Sequence, residues 1–215
     1  MRDLVSGIAR EVSIATRGAI NSLVHLRSLN LFAAGITRIR TDAETSKSRS
    51  VTAVQLWTHD FTRLMRELPL GNNLVEYRSQ ESNPIRLSAH PDGQRLAAIC
   101  TRGDLKVWDV GSASELLSKS VDPKRQTNPE NSPLPNLDLR MSLSPDGETV
   151  ATTEPDSNAV TVWNVSDGTS RRLWQTDDLA ITHIAHSSDG KWVATTNSDG
   201  VIRLWDVSAT PRAVP

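Results

Sequence analysis

An internal repeat constrains this chain more than any other feature. Residues 181–206 and residues 84–109 align without a gap. The alignment sets Asp92-Gly93 on Asp189-Gly190, Leu96-Ala97 on Val193-Ala194, Gly103 on Gly200, and Trp108-Asp109 on Trp205-Asp206. Residues 138–164 fit with one inserted residue, through Pro145-Asp146-Gly147, Val150 to Thr153, and Val160 to Asn164. A fourth, degenerate copy opens at Ala19 to His25, matching Ala180 to His186. Its turn reads Arg27-Ser28-Leu29 where the last copy has Ser188-Asp189-Gly190, and an insertion near Thr37 to Ser50 delays its Trp57. A chain that repeats one short unit builds its core by stacking copies of that unit.

Each copy reads as strands joined by tight turns. The Pro-Asp-Gly and Ser-Asp-Gly triplets supply turn chemistry, with proline presetting φ and glycine tolerating positive φ. The segments between are short, apolar and β-branched, as half-buried strands require. From Trp57 to Trp108, to Trp163 and to Trp205 the spacings are 51, 55 and 42 residues, with the excess in polar stretches. Residues 118–136 hold four prolines and are expected to form a loop.

The bulk numbers exclude several classes of function. Among 215 residues, 24 Lys and Arg balance 25 Asp and Glu, for a formal charge of -1. No global field therefore favours nucleic acid or an anionic membrane. Cys100 is the single cysteine, so no internal disulfide framework exists, and no Cys/His pair has zinc-ligand spacing. A reducing, cytoplasmic setting is the expectation. The start, Met1 to Gly7, has no uninterrupted apolar run, and nowhere do apolar residues run long enough to span a bilayer. The chain is read as neither exported nor membrane-spanning.

A search for catalytic or metal-binding patterns returns none. His183 and His186 lie three apart on one expected strand, so alternation sends them to opposite faces. His25 and His186 occupy equivalent repeat positions, which points to packing or blade-surface roles, and His59 and His90 adjoin turns. The Asp-Gly pairs at 92, 146 and 189 lack the converging oxygens of a calcium loop. Gly190-Lys191 lacks the upstream glycine and following hydroxyl of a phosphate-binding loop. Trp57, Trp108, Trp163 and Trp205 recur at one repeat position and are structural by periodicity; Trp174 and Trp192 have no assignment.

At Leu105 to Asp109, Val160 to Asn164 and Ile202 to Asp206, each after a Pro/Ser-Asp-Gly turn, the sequence resembles the WD-repeat (WD40) family over roughly residues 19–210. The resemblance implies an all-β fold, a β-propeller of about four WD-type four-stranded antiparallel blades around a channel. The repeats then run over about 19–79, 80–121, 134–178 and 179–210, with 1–18 as the outer strand of a preceding or closing blade. The family's Gly-His pair is missing from every copy, which marks a divergent, bacterial-type branch. Its buried hydrogen-bonded set is kept in part: Thr195, Asp199 and Trp205 in the last copy, and Thr152, Asp156 and Trp163 in the third. The second copy has Ala98 and Arg102 beside Trp108.

Family members are mostly scaffolds, so the resemblance implies a non-catalytic, cofactor-free protein- or peptide-binding surface, part of a larger regulatory or signalling protein. A propeller enzyme with a channel-mouth active site and a degenerate structural fragment are the alternatives. The column expected to meet a partner is Ser22, Arg86, Arg140 and His183, near the start of each innermost strand, with arginine favoured at interface hot spots. Three arrangements fit the blade count: a closed four-blade ring, self-association of two chains into an eight-blade ring, or a piece of a longer protein.

Overall fold

The computed structural model describes residues 18–41, 48–76, 85–100, 103–121, 139–154, 159–173 and 181–208. The outer strand expected before residue 18, together with Arg102, Asp156 and Trp174, lies outside them. Apart from one 3-10 turn, every regular element described is a strand. Strands β1 (Ala19–Leu26), β2 (Leu31–Thr41), β3 (Ser48–Thr58) and β4 (Leu64–Glu76) make the first sheet. Strands β5 (Ile85–Ala89), β6 (Arg95–Cys100), β7 (Asp104–Asp109) and β8 (Glu115–Ser120) make the second. The third holds β9 (Met141–Leu143), β10 (Thr149–Thr153), β11 (Val160–Asn164) and β12 (Ser170–Leu173). The fourth holds three described strands, β13 (Ile181–His186), β14 (Trp192–Asn197) and β15 (Ile202–Asp206). Each sheet is an antiparallel meander in sequence order, so this is the propeller architecture, with three four-stranded sheets and one of three among the described residues.

Two local expectations change. Most of the stretch 37–50 is ladder: Thr37 pairs with Thr52 and Thr41 with Ser48, so the extra residues lengthen the β2–β3 hairpin. Residues 118–120 of the expected loop are strand, because β8 continues through Ser120 and pairs it with Asp104, and the loop's four prolines lie outside the described residues.

Each sheet has two apolar faces. We call the face turned towards the next sheet in the chain its leading face, and the other its trailing face. In the second sheet Leu96, Ala98 and Trp108 trail, packing with Ala33, Val54, Leu56 and Leu68 of the first sheet. Ala97, Ile99, Leu105 and Val107 lead, packing with Leu139, Leu143, Val150 and Val165 of the third. Ala151, Val160 and Val162 then pack against Val193 of the fourth, with Ile184 and Trp205 beside them. Burial on both sides explains why β6 reads as an unbroken apolar run, Leu96 to Cys100, where a one-sided strand alternates. Each fully buried Leu, Ile or Val contributes about 1.5–3 kcal/mol of transfer free energy.

Serine side chains lace two of these junctions at one repeat position. The Leu143 N–H donates to Ser88 Oγ at 3.0 Å, and the His186 N–H donates to Ser142 Oγ at 3.0 Å. The same position holds Val24 in β1 and Ala185 in β13. Between the first two sheets, the Ser28 hydroxyl instead donates to the Asp92 carbonyl. Ser28 belongs to the degenerate turn, which forms a 3-10 turn over Arg27–Leu29 closed by Asn30 at φ 52°.

Candidate partner-binding face

Four residues at one repeat position, Ser22, Arg86, Arg140 and His183, stand on the four innermost strands or at their starts. Cross-strand pairing sets Ser22 against Gly35, Arg86 against Ile99, and His183 against Thr196. Arg140 precedes β9; its N–H donates to Thr153 Oγ1 at 2.9 Å and its carbonyl accepts the Thr153 N–H at 3.0 Å. All four lie on leading faces at the same end of their sheets. The structure grades them by exposure. Arg86 and His183 are exposed, whereas Arg140 and Ser22 are half-buried. The Ser22 hydroxyl is enclosed at the first junction, where a Cβ on Gly35 would meet Ser22 Oγ and Ile85.

The tryptophan positions show how much of the family's buried set survives. Trp163 Nε1 donates to Thr152 Oγ1 at 3.0 Å and Trp205 Nε1 donates to Thr195 Oγ1 at 3.1 Å. Both threonines are fully buried and sit two residues along the neighbouring strand from the tryptophan's direct partner. Asp199 stands apart from that pair: one oxygen accepts the Val201 N–H and the other lies 3.6 Å from Arg203. In the first sheet Gln55 takes over, its Oε1 accepting from Trp57 Nε1 at 3.2 Å while its amide reaches Glu67. In the second sheet Ala98 occupies the threonine position and offers Trp108 no hydroxyl.

The Asp-Gly pairs act as turn clasps. Asp92, Asp146 and Asp189 each accept the N–H two residues on, at 2.7, 2.9 and 3.1 Å. Ser144 and Ser187 hydroxyls also donate to Asp146 and Asp189 while accepting a strand N–H themselves. These bonds favour the ionised carboxylates. The Gln94 N–H holds Asp92 below the ordinary aspartate value, and the Ser187 hydroxyl does the same for Asp189. At Asp146 burial pushes the other way, but the Ser144 hydroxyl and Glu148 N–H outweigh it.

The aspartate of the Trp-Asp pair has a similar task that the sequence reading passed over. Asp109 Oδ1 accepts the Ser112 N–H and hydroxyl, and Asn164 and Asp206 hold Ser166 and Ser208 in the same way. A serine two or three residues after each Trp-Asp/Asn was the available signal. The clasps by Asp92, Asp146, Asp189, Asp109 and Asn164 all lie at the end of the sheets opposite the Arg86–His183 column, as the meander connectivity requires.

The histidines divide by environment. His183 is exposed, and His186 is half-buried on the opposite face. His186 Nδ1 lies 3.1 Å from Ser142 Oγ, and its Nε2 is buried without a partner. Burial pushes the ring below the ordinary histidine range, with Asp146 across the junction opposing only in part. In a Ser-His-Asp triad the imidazole's second nitrogen is held by a carboxylate. Here that nitrogen has no partner, and Ser142 Oγ already accepts the His186 N–H. His25 stacks on Phe32, centroids 4.6 Å apart, and His59 lies 3.2 Å from the Asn30 amide. His90 Nδ1 sits 2.5 Å from Asp92. Among the described residues no three metal-ligating side chains converge.

Comparison with known proteins bears on the fold. A family profile described as WD domain, G-beta repeat, matches residues 168–206. No curated protein sequence matches the chain. Among solved structures, the β-propeller domain of Myceliophteria thermophila Cps50 (Swd1) superposes with a TM-score of 0.60 at 14% identity, covering 88% of this chain and 52% of that one. U3-55K and the WD40 repeats of RRP9 each superpose at 0.57 and 15% identity, covering 90% of this chain and 50% of theirs. The chain spans about half the length of these structures, and its fold is that of WD40 β-propellers.

Proposed function

We propose that this WD40-type chain is a non-catalytic scaffold within a larger regulatory or signalling protein of the cytoplasm. It recognises a protein or peptide at the end of the sheets that carries Arg86, Arg140 and His183. The observation that carries this reading is the column itself: neighbouring inner strands present one repeat position at one end, and evenly spaced sheets convert a repeat position into a continuous surface. Two cationic groups near an exposed imidazole suit an acidic or hydrogen-bonding segment, and arginine combines charge with planar bidentate recognition.

The test compares wild-type chain with an Arg86→Glu/Arg140→Glu double variant as bait in lysate of the source cells. Polypeptides retained by the wild type are identified, and their affinities are measured with purified components. The expected outcome is a direct partner whose affinity falls at least about tenfold, or 1.4 kcal/mol, in a variant with unchanged circular dichroism. Equal binding by both baits removes the column from the proposal.

A further inference from the structure

The junction between the third and fourth sheets is built differently from the one before it. On the leading face of the second sheet Ile99, Leu105 and Leu117 are buried. The third sheet holds Thr153, Val160 and Arg171 at those places, as the matching cross-strand pairs show. Arg171 is half-buried, and its guanidinium crosses to the fourth sheet, donating to the Asp206 carbonyl at 3.2 Å. Among the described residues, the buried apolar cluster at this junction consists of Ala151, Val160, Val162 and Val193. Sheets are held face to face chiefly by the apolar area they bury. Where leucine and isoleucine give way to arginine and threonine, polar contacts carry more of the closure.

One of those polar contacts is titratable. The third sheet sets Leu143 against the second, and at the same repeat position the fourth sets His186 against the third. Both main-chain N–H groups donate to a serine across their junction, Leu143 to Ser88 and His186 to Ser142, each at 3.0 Å. Ser142 Oγ has its own hydrogen to give to His186 Nδ1 at 3.1 Å, which places the neutral ring's hydrogen on Nε2. That Nε2 is buried without an acceptor. Protonation sets a hydrogen on both nitrogens, so Ser142 can no longer donate and a positive charge stands between the sheets. From the third sheet Asp146 acts on the ring, but its Oδ1 is held by the Ser144 hydroxyl and the Glu148 N–H. On the fourth sheet the turn after β13 brings Asp189 and Lys191, of opposite charge.

We propose that this junction is a proton-operated hinge: a proton on His186 parts the fourth sheet from the third and swings His183 away from Arg140, breaking the partner-binding column. Parting the sheets hydrates the ring. Burial holds the ring below the ordinary 6.5 while the junction is closed, so the open form takes the proton more readily and gains population as pH falls through that value. His183 and His186 share β13, three residues apart, so the strand cannot move at one and stay at the other. Arg140 remains with the third sheet through its two bonds to Thr153. At the junction between the second and third sheets, Leu143 in the histidine's place gives no such response. The effect on binding rests on the partner-binding reading of the column, whereas the hinge does not.

The experiment follows single amides by NMR hydrogen exchange in the full 215-residue chain, from pH 8 to about pH 5, above the range in which the aspartate clasps titrate. The His186 N–H is the probe, and the Leu143 N–H, bonded in the same way across the preceding junction, is the control. After correction for intrinsic exchange, protection at His186 is expected to fall at least about tenfold over this range while that at Leu143 holds. Spin labels at two exposed positions, through Ser118→Cys and Ser198→Cys with buried Cys100 unlabelled, read the swing. The distance between the second and fourth sheets is expected to gain a second, longer population at the acid end. His186→Leu is expected to abolish both changes. Constant protection at His186, a parallel loss at Leu143, or a response that survives in His186→Leu overturns the hinge. An unchanged label distance alongside lost His186 protection overturns the swing of His183. All these readings come from the chain alone, so they fail separately from the partner sought with the Arg86→Glu/Arg140→Glu bait.

Discussion

Thr152 and Thr195 show how little is needed to orient an indole at a sheet junction. Each hydroxyl accepts from a tryptophan two positions along the neighbouring strand, and each is fully buried. Thr152→Val keeps the shape and removes the acceptor, leaving the Trp163 N–H without its bond. Because Trp163 is half-buried, the cost falls near the low end for an unmet donor, about 1 kcal/mol, read as a lower urea midpoint. A midpoint equal to wild type would show that water replaces the hydroxyl. The Thr–Trp pairs were legible through the family resemblance, which implies a buried hydrogen-bonded set at those repeat positions, although their spacings of 11 and 10 residues differ. Asp199 was not, since whether it turns to the buried set or to Arg203 depends on geometry across a turn. Nor could spacing alone reveal that Ser22 is enclosed while Arg86 at the same repeat position is exposed.

At the scale of strands and turns, the short apolar, β-branched runs between the turns of each copy foretold strands such as β6, β7, β10, β11, β14 and β15, whereas β4, β8 and β12 had no reading of their own. The misreadings arose where length, and not type, was at stake. Polar residues after Ile36 read as an insertion, yet they extend a hairpin, because a ladder continues wherever both strands remain extended. The turns carry their own signature. Gly147 has φ +72°, and a Cβ there would stand 2.7 Å from Arg95 Cδ of the preceding sheet. Gly147→Ala therefore combines left-handed strain with displacement of the Arg95 side chain, which bonds Glu148 at 2.9 Å. We expect a loss of about 1–2 kcal/mol, measured by denaturant unfolding. Gly200, at φ +79° with nothing near its missing Cβ, isolates the strain contribution: Gly200→Ala should cost less than Gly147→Ala.

Stability of the whole molecule is expected to fall with acid in two stages. His186 titrates below the ordinary 6.5 because burial disfavours its charged ring, so the unfolded chain takes up the proton first. Its contribution is complete above pH 6.5 and is lost as pH falls through the folded value. The clasping carboxylates Asp92, Asp109, Asp146 and Asp189 lie below the ordinary 3.8, so their contribution is present above that pH and lost beneath it. Urea midpoints followed from pH 8 to pH 3 check both stages. His186→Leu, the residue type that Leu143 provides at the same place in the third sheet, should flatten the upper stage and leave the lower one. An unchanged upper stage in that variant assigns it to another group.

The carboxylate clasps have a consequence for how such a chain can change over time. They tie the connections at one rim to their own strands, so residues inserted there would break a bond that also sets strand register. At the opposite rim the last described strand of one sheet ends and the first of the next begins, and the sequence spacing between them differs more than twofold, from 174–180 to 122–138, while the sheets keep the same pairing. One rim thus works as a fixed gauge for strand register, and the other is where segments can be lengthened, exchanged or grafted without rebuilding the sheets. New binding specificities are expected to accumulate at that second rim, beside Arg86 and His183.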